Sequence, residues 1–376
     1  MILSRRQAVA GATMLALPGV GRAAGGISAG LDELTIRAGE AIDAEIARRF
    51  PGVKTIAAVP AGERAVYYGL LLKRRLGEVE IGAAVRRLDA ALVGLTRRAD
   101  AALRAIGRSE GSVAERLTAL FADERFLYPD SESGRDRAVA DMNRMLAARR
   151  GQVALAFAVP AWCLDVAVSR PAKSDAPAGK RNLPEPGKPG GYVVDLKDIR
   201  RRPSWTLGSV VAHELLPGHM LQLPIEAAAG MDPRRADYAS AFVEGWGIYA
   251  EQLAAAQGAF EGDALGLIGH LHWLLFRAAR ARMDIGMHAE AWSADRARAF
   301  LEGHQGPAAY FAPYDVELAR TAAEPASRAA DALAWLALAD LAPADWRRRK
   351  PFHARVLAGG RKRTEHLRRY VLTGSL

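Results

Sequence analysis

Between Ser204 and Gln222 the chain reads SWTLGSVVAHELLPGHMLQ, and three of its side chains, His213, Glu214 and His219, are of the types that bind metals or move protons. The arrangement is similar to the HExxH zinc helix, where two histidines one turn apart share a face and the glutamate between them activates water on the metal. Here the two histidines are six positions apart. On a regular helix such residues point about 120° away from each other, so one ion is reached by both only if the chain changes path. Pro217 has no N–H to bond the carbonyl of His213, and Gly218 tolerates the distorted turn that follows. Two readings stay open: a broken turn that returns His219 to the side of His213, or a Pro-Gly pair that merely ends a helix carrying two unrelated histidines.

A second segment, VEGWGIYAEQ at 243–252, puts Glu244 and Glu251 seven apart and so on one face of a helix. Catalytic zinc commonly takes three protein ligands and keeps a fourth position for water, which makes Glu244 the expected third ligand after His213 and His219. Glu251 is then placed to accept the second ring N–H of a ligating histidine. The plainer alternative is that both glutamates face solvent, although Trp246 and Tyr249 beside them are untypical of a free surface.

The elements that must carry these residues are helical. From Leu31 to Arg150, AIDAEIARRF and VRRLDAALVGLTRRADAALRAI repeat apolar residues at three and four, with breaks expected at Pro51-Gly52 and from Gly107 to Gly111. No internal period is convincing, which disfavours a solenoid. QVALAFAV at 152–159 is apolar and tolerant of a strand, 171–191 is rich in Pro and Gly and reads as a loop, and GGYVVDL at 190–196 reads as a short strand. Placed just before the histidine segment, that strand is either an ordinary core strand or an edge that pairs with an extended peptide. Helical patterns resume after Ser204. The expected fold is mainly α with a few short strands, divided into residues 25–170 (N-terminal helices), 171–191 (loop) and 192–376 (zinc-binding region).

HELLPGHMLQ followed by EGWGIYAE, RARMDIGMHAEAWS and FHARVLAGG resembles the bacterial domain-of-unknown-function family 885, regarded as gluzincin-type metallopeptidases. The resemblance covers about 192–371; the N-terminal half matches only in being helical, and the chain is short for the family. It implies a helical gluzincin-like fold, zinc on His213, His219 and Glu244, and Glu214 as general base. It also brings RMDIGMH near the site, with His288 or a tyrosine stabilising the oxyanion, Asp284 orienting a zinc-bound histidine and Arg282 pairing with a substrate carboxylate. A surface helix with internal pairs is the plainer reading of that segment. The family's proline-glycine-glutamine segment ending in tyrosine corresponds here to EPASRAAD at 324–331, which lacks the glutamine and the tyrosine. Either Tyr310 or Tyr314 in AAYFAPYD takes over, with Tyr314 the choice, or the substrate differs, or activity is partly lost.

Half of the 376 residues are hydrophobic, enough for a large core and too many for a disordered chain. The one cysteine, Cys163, reads as a small core residue. The net charge of +10 is spread along the chain and dominated by Arg, and the one dense cluster, Arg347–Lys350 with Arg361–Arg363, reads as a solvated face. No motif supports nucleic-acid binding. Arg5 and Arg6 before an apolar stretch from Ala8 to Val20, then small residues to Ala24, have the layout of a twin-arginine export signal over 1–24, hence a periplasmic address without stable membrane insertion. The expected activity is zinc-dependent hydrolysis of short peptides. Its rivals are an amidase or esterase on a non-peptide substrate and a silent metal-binding module. The sequence leaves substrate and oligomeric state open.

Overall fold

The computed structural model describes residues 22–172 and 177–373. The export signal expected over 1–24 therefore lies, but for its last three residues, outside the described residues.

The N-terminal helices are α1 (Arg22–Arg49), α2 (Arg64–Leu76), α3 (Ile81–Ala105), α4 (Val113–Phe121) and α5 (Glu132–Ala156). Two of their breaks fall at Pro51-Gly52 and near Gly107–Gly111, as expected; the breaks at 77–80 and 122–131 were not anticipated. Ser112 starts α4 with a reciprocal cap: its hydroxyl accepts from the Glu115 amide, while Glu115 accepts from the Ser112 amide at 2.7 Å. In α3 the residues Ala84, Leu88, Leu92, Leu95, Ala99 and Leu103 form one buried stripe. The run QVALAFAV is helical rather than extended as far as Ala156, because Val153 and Ala156 continue the buried face that Ala138, Met142 and Leu146 begin. Helical periodicity over 25 residues outweighs the strand tolerance of a few.

Three short strands follow: β1 (Val166–Ser169), β2 (Lys180–Asn182) and β3 (Gly190–Val193). The interval 171–191 is thus only partly loop. β3 is central, parallel to β1 and antiparallel to β2. Both its edges are taken, so it is not an edge on which a peptide could pair.

The remaining helices are α6 (Leu207–Glu214), α7 (His219–Ala228), α8 (Arg235–Tyr238), α9 (Ala241–Ala256), α10 (Ala264–Ala289), α11 (Ala294–Gln305), α12 (Tyr314–Ala323), α13 (Ser327–Leu341), α14 (Trp346–Gly359) and α15 (Thr364–Thr373). The molecule is mainly α with one small sheet. α10 is the spine: α3, α11 and α13 pack along it, α13 also covers α9, and one core joins the N-terminal helices to the later ones. α9 and α13 approach closely at Gly245, where a methyl group would meet Ala334 Cβ at 2.5 Å. Cys163 lies in this core, where burial pushes its thiol up to about 12, a poor nucleophile.

The C-terminal basic cluster divides. Arg347, Arg348 and Lys350 are exposed, but Lys362 and Arg363 are buried in ion pairs with Asp32 and Glu365, so that part ties α15 to the N-terminal helices and is no solvated face. No helix among the described residues is long and apolar enough to cross a membrane.

Candidate metal centre

The helix that carries the first histidine stops one residue later. α6 ends at Glu214, the chain turns through a cis Leu216–Pro217 bond, and α7 begins at His219. The turn doubles back so tightly that a methyl group on Gly218 would stand 1.8 Å from the carbonyl oxygen of His213 and 2.4 Å from that of Ala212. Only glycine fits there. Trp246 of α9 holds the turn from outside, its indole N–H donating to the Pro217 carbonyl at 3.0 Å. The break brings His219 back to His213: their Nε2 atoms are 3.2 Å apart and the rings stand at 89°.

The glutamates seven apart on α9 close the cluster. Glu244 lies 3.4 Å from His213 Nε2 through one carboxylate oxygen and 3.5 Å from His219 Nε2 through the other. Glu251 is fully buried and 2.7 Å from His213 Nδ1. A carboxylate only accepts, so Nδ1 carries the ring proton and Nε2 presents a lone pair toward His219 and Glu244. Gly247, between the two glutamates on the same face, leaves room for the imidazole. Ser209 of α6 donates to the second oxygen of Glu251 at 2.6 Å, and Arg277 of α10 stands 3.8 Å from the first. His219 has no such support: its Nδ1 is buried without a hydrogen bond.

Two donors about 2.1 Å from one ion at a tetrahedral angle are about 3.4 Å apart. The 3.2 Å between the two Nε2 atoms matches that edge, and Glu244 sets one carboxylate oxygen 3.4 Å from His213 and the other 3.5 Å from His219; two imidazole nitrogens and a carboxylate are a zinc-compatible set. The residues therefore fit the ion that the sequence implies. Among the described residues His213, His219 and Glu244 form the one group of three ligand side chains converging within 4.8 Å.

Charge is balanced within the cluster. Desolvation opposes it, but the two imidazoles hold the Glu244 carboxyl well below the usual carboxylate range. For His213, burial and Arg277 work downward, and the hydrogen bonds to Glu244 and Glu251 overcome them, leaving it raised. For His219 burial prevails over Glu244 and leaves it lowered. Beyond Glu244, Asp331 of α13 is pushed up to about 7, by burial first and then by the Glu244 charge.

Glu214 stays outside the ligand set. Its carboxylate is gripped by Arg181 of β2, with Nη2 at 2.5 Å and Nε at 2.7 Å. It lines, with His213, Arg277, Trp273, Tyr310 and Phe311, a small pocket. Arg181 and Arg277 escaped the sequence reading. Arg181 sits in the Pro/Gly-rich interval with no local pattern to mark it. Arg277 had a signal in FRAARARM, where arginines recur in a helix that is otherwise apolar.

The third segment lies elsewhere. Asp284 is fully buried and accepts from the amides of Ala326 and Ala329 at 3.1 and 3.0 Å, capping α13 instead of orienting His213 or His219. His288 bonds the Thr321 carbonyl at 2.9 Å and stacks on Tyr68. Arg282 pairs with Asp89 and Glu290. All three lie farther along α10 than Arg277, on faces turned to α12, α13 and α3. Of the two tyrosines, Tyr310 lines the pocket, whereas the Tyr314 hydroxyl bonds the Gly306 carbonyl. Periodicity assigned His288, Asp284 and Arg282 to a helix; it does not say which neighbour each face meets.

Residues 41–371 match the family of bacterial proteins of unknown function DUF885, and the chain belongs to that family. The match begins well before the motifs and takes in most of the N-terminal helices. No curated protein matches. Among solved structures, the chain is similar to a protein of Colwellia psychrerythraea provisionally named a lipoprotein, at 29% identity and TM-score 0.72 over 85% of this chain and 56% of that one. It also shares its fold with a protein of Shewanella oneidensis, provisionally named a lipoprotein of unknown function, at 13% identity and TM-score 0.68 over 88% of this chain and 63% of the other. The chain thus spans about three fifths of the length of the solved structures it matches.

Proposed function

We propose that the protein is an exported, zinc-dependent hydrolase of the gluzincin type that cleaves amide bonds in short peptides. The observation that carries this reading is the convergence of His213, His219 and Glu244, with a carboxylate outside the ligand set, Glu214, next in the chain to a ligand, held by Arg181 and facing a pocket.

Zinc, held by His213, His219 and Glu244, would supply Lewis acidity, which lowers the pKa of water and polarises a carbonyl. The side chains do the rest. Glu214 takes a proton from the attacking water and returns it to the leaving amine. Arg181 fixes the rotamer of Glu214 and keeps it aimed. Tyr310, kept protonated by burial, is the phenol placed beside Glu214 to donate to the developing oxyanion. Trp273 and Phe311 give the pocket apolar walls that exclude water. Export is supported by the paired arginines and apolar stretch of the first residues and by the provisional lipoprotein naming of the two similar structures.

The test is metal content of the purified protein by mass spectrometry together with hydrolysis of short peptides. About one zinc per chain, lost in His219→Ala, and a Glu214→Gln variant that keeps zinc but slows cleavage by about 10²–10⁴-fold, support the reading. A Glu214→Gln protein that cleaves as fast as the parent rejects it.

A further inference from the structure

α10 is enclosed on nearly every side, yet carries three arginines, Arg277, Arg280 and Arg282, each only 8% exposed. Arg282 is paired with two acids, Asp89 at 3.0 Å and Glu290 at 2.9 Å, although its Nη1 is buried without a partner. The other two are not so paired. Arg280 makes no hydrogen bond or ion pair with any described residue; its guanidinium lies over the Phe276 ring, 4.8 Å from the centroid. Arg277 has its Nε buried without a partner. Its Nη2 is 3.8 Å from Glu251, beyond hydrogen-bond length, and 3.5 Å from His213 Nδ1, which already donates to Glu251 and offers no lone pair.

Nearby acids do not fill the gap. Glu251 is committed to His213 and Ser209. Of the acids that face Arg280, Glu317 is held by Arg328 at 3.1 Å, and neither it nor Asp331 forms an ion pair with Arg280. Two buried guanidiniums three residues apart on one helix repel each other, and burial followed by Arg277 lowers Arg280 to about 10. Arg277 has only the 3.8 Å ion pair to Glu251 and Arg280 has none; buried cations so weakly paired are costly, and an anion entering from outside relieves the cost. The entry is the pocket in which Arg277 meets Glu214 and His213, walled by Trp273, Tyr310 and Phe311.

Resting on the hydrolase reading, we propose that Arg277, with Arg280 behind it, receives the free α-carboxylate of the substrate, so that the bond cleaved is the last amide before that carboxylate. Arg277 stands one imidazole ring away from the ligand nitrogen of His213, and the carboxylate of a C-terminal residue stands three bonds from the scissile carbonyl carbon; the two spans are comparable. The aromatic walls then take an apolar terminal side chain. The amide C–N bond breaks, water's oxygen joins the acyl carbon, and both water hydrogens end on the released amine, leaving a carboxylate and a free amino acid. The same chemistry is offered by a peptide C-terminus and by an N-acylated amino acid.

The experiment uses the zinc-loaded Glu214→Gln protein, in which turnover is slowed, and calorimetry with N-acetyl-Ala-Phe and its C-terminal amide. The free acid binds tighter than the amide by roughly ten- to a hundredfold, the worth of a charged hydrogen-bonded contact. Adding Arg277→Gln removes the preference with zinc content unchanged, and Arg277→Lys restores part of it. Equal binding of acid and amide, no binding of the acid, or a preference that survives Arg277→Gln overturns the proposal. The first two comparisons need no Arg277 variant, so a misfolded one does not protect the idea. N-acetyl-Phe separates the sources: weaker binding than N-acetyl-Ala-Phe assigns the site to peptides, equal binding to N-acylated amino acids, and either keeps the receptor. Acid-selective binding without cleavage by the parent rejects the hydrolase and leaves the receptor; equal cleavage of acid and amide does the reverse.

Discussion

Gly247 lies directly against the imidazole of His213: a methyl group on its Cα would come within 2.7 Å of Cε1 and 2.9 Å of Nε2. The glycine between the two glutamates of α9 is a spacing device, letting the helix that supplies Glu244 and Glu251 approach the ring that both must touch.

Gly247→Ala is expected to push His213 off its line and to weaken zinc binding by about 10–100-fold, the range seen when ligand orientation is disturbed. A chelator competition measures it, with circular dichroism confirming the fold. Unchanged affinity would mean that the backbone yields and that the contact does not position the ligand.

Glu251→Gln keeps an acceptor for His213 Nδ1 but removes the charge that supports the imidazole and faces Arg277. Zinc affinity should fall by about tenfold. The same competition reads the change; an affinity equal to the parent's rules out orientation of His213 by the carboxylate charge.

Asp284→Ala separates a structural from a catalytic role for that residue. Its carboxylate caps α13 through two buried amides, so the loss should cost about 2–3 kcal/mol of stability and leave zinc content intact. Urea denaturation and metal analysis decide; loss of zinc at unchanged stability contradicts the placement.

The pH dependence of stability follows from buried neutral histidines. Burial lowers His270, His272 and His353 to about 4, against an unfolded value of about 6.5. Each contributes stability that is complete above about 6.5 and is lost as pH falls toward 4, because the unfolded chain takes up the proton first. Asp331, raised to about 7, works the other way, binding its proton in the folded state as pH falls. His219, His304 and His366 are lowered as well and add to the histidine side, while His213 is raised, so stability falls as pH drops from about 6.5 toward 4.5. Urea titrations of the metal-free protein from about pH 7 to 4.5 should show that fall, and His272→Gln should make it shallower. A flat profile would show that these histidines are not buried and neutral.

Legibility followed the range of the interaction. The α3 stripe and the Glu244–Glu251 face were readable because helical periodicity is local, and a helix packed on a core repeats its apolar residues at three and four. The spacing of His213 and His219 was ambiguous, since a Pro-Gly pair ends helices as readily as it folds them back. QVALAFAV was ambiguous for a related reason: a short apolar run suits a strand or a buried helix, and only its continuity with α5 decides.

Sequence by itself determined a mainly helical chain, the residue types able to hold zinc and the membership of one α9 face, because all of these depend on near neighbours in the chain. Tertiary structure alone decided that Arg181 grips Glu214, that Arg277 and Tyr310 rather than Arg282 and Tyr314 meet the pocket, and that Asp284 caps a helix. Those contacts join residues tens of positions apart, and which face of a buried helix meets which partner is fixed by packing of the whole core, not by any local pattern.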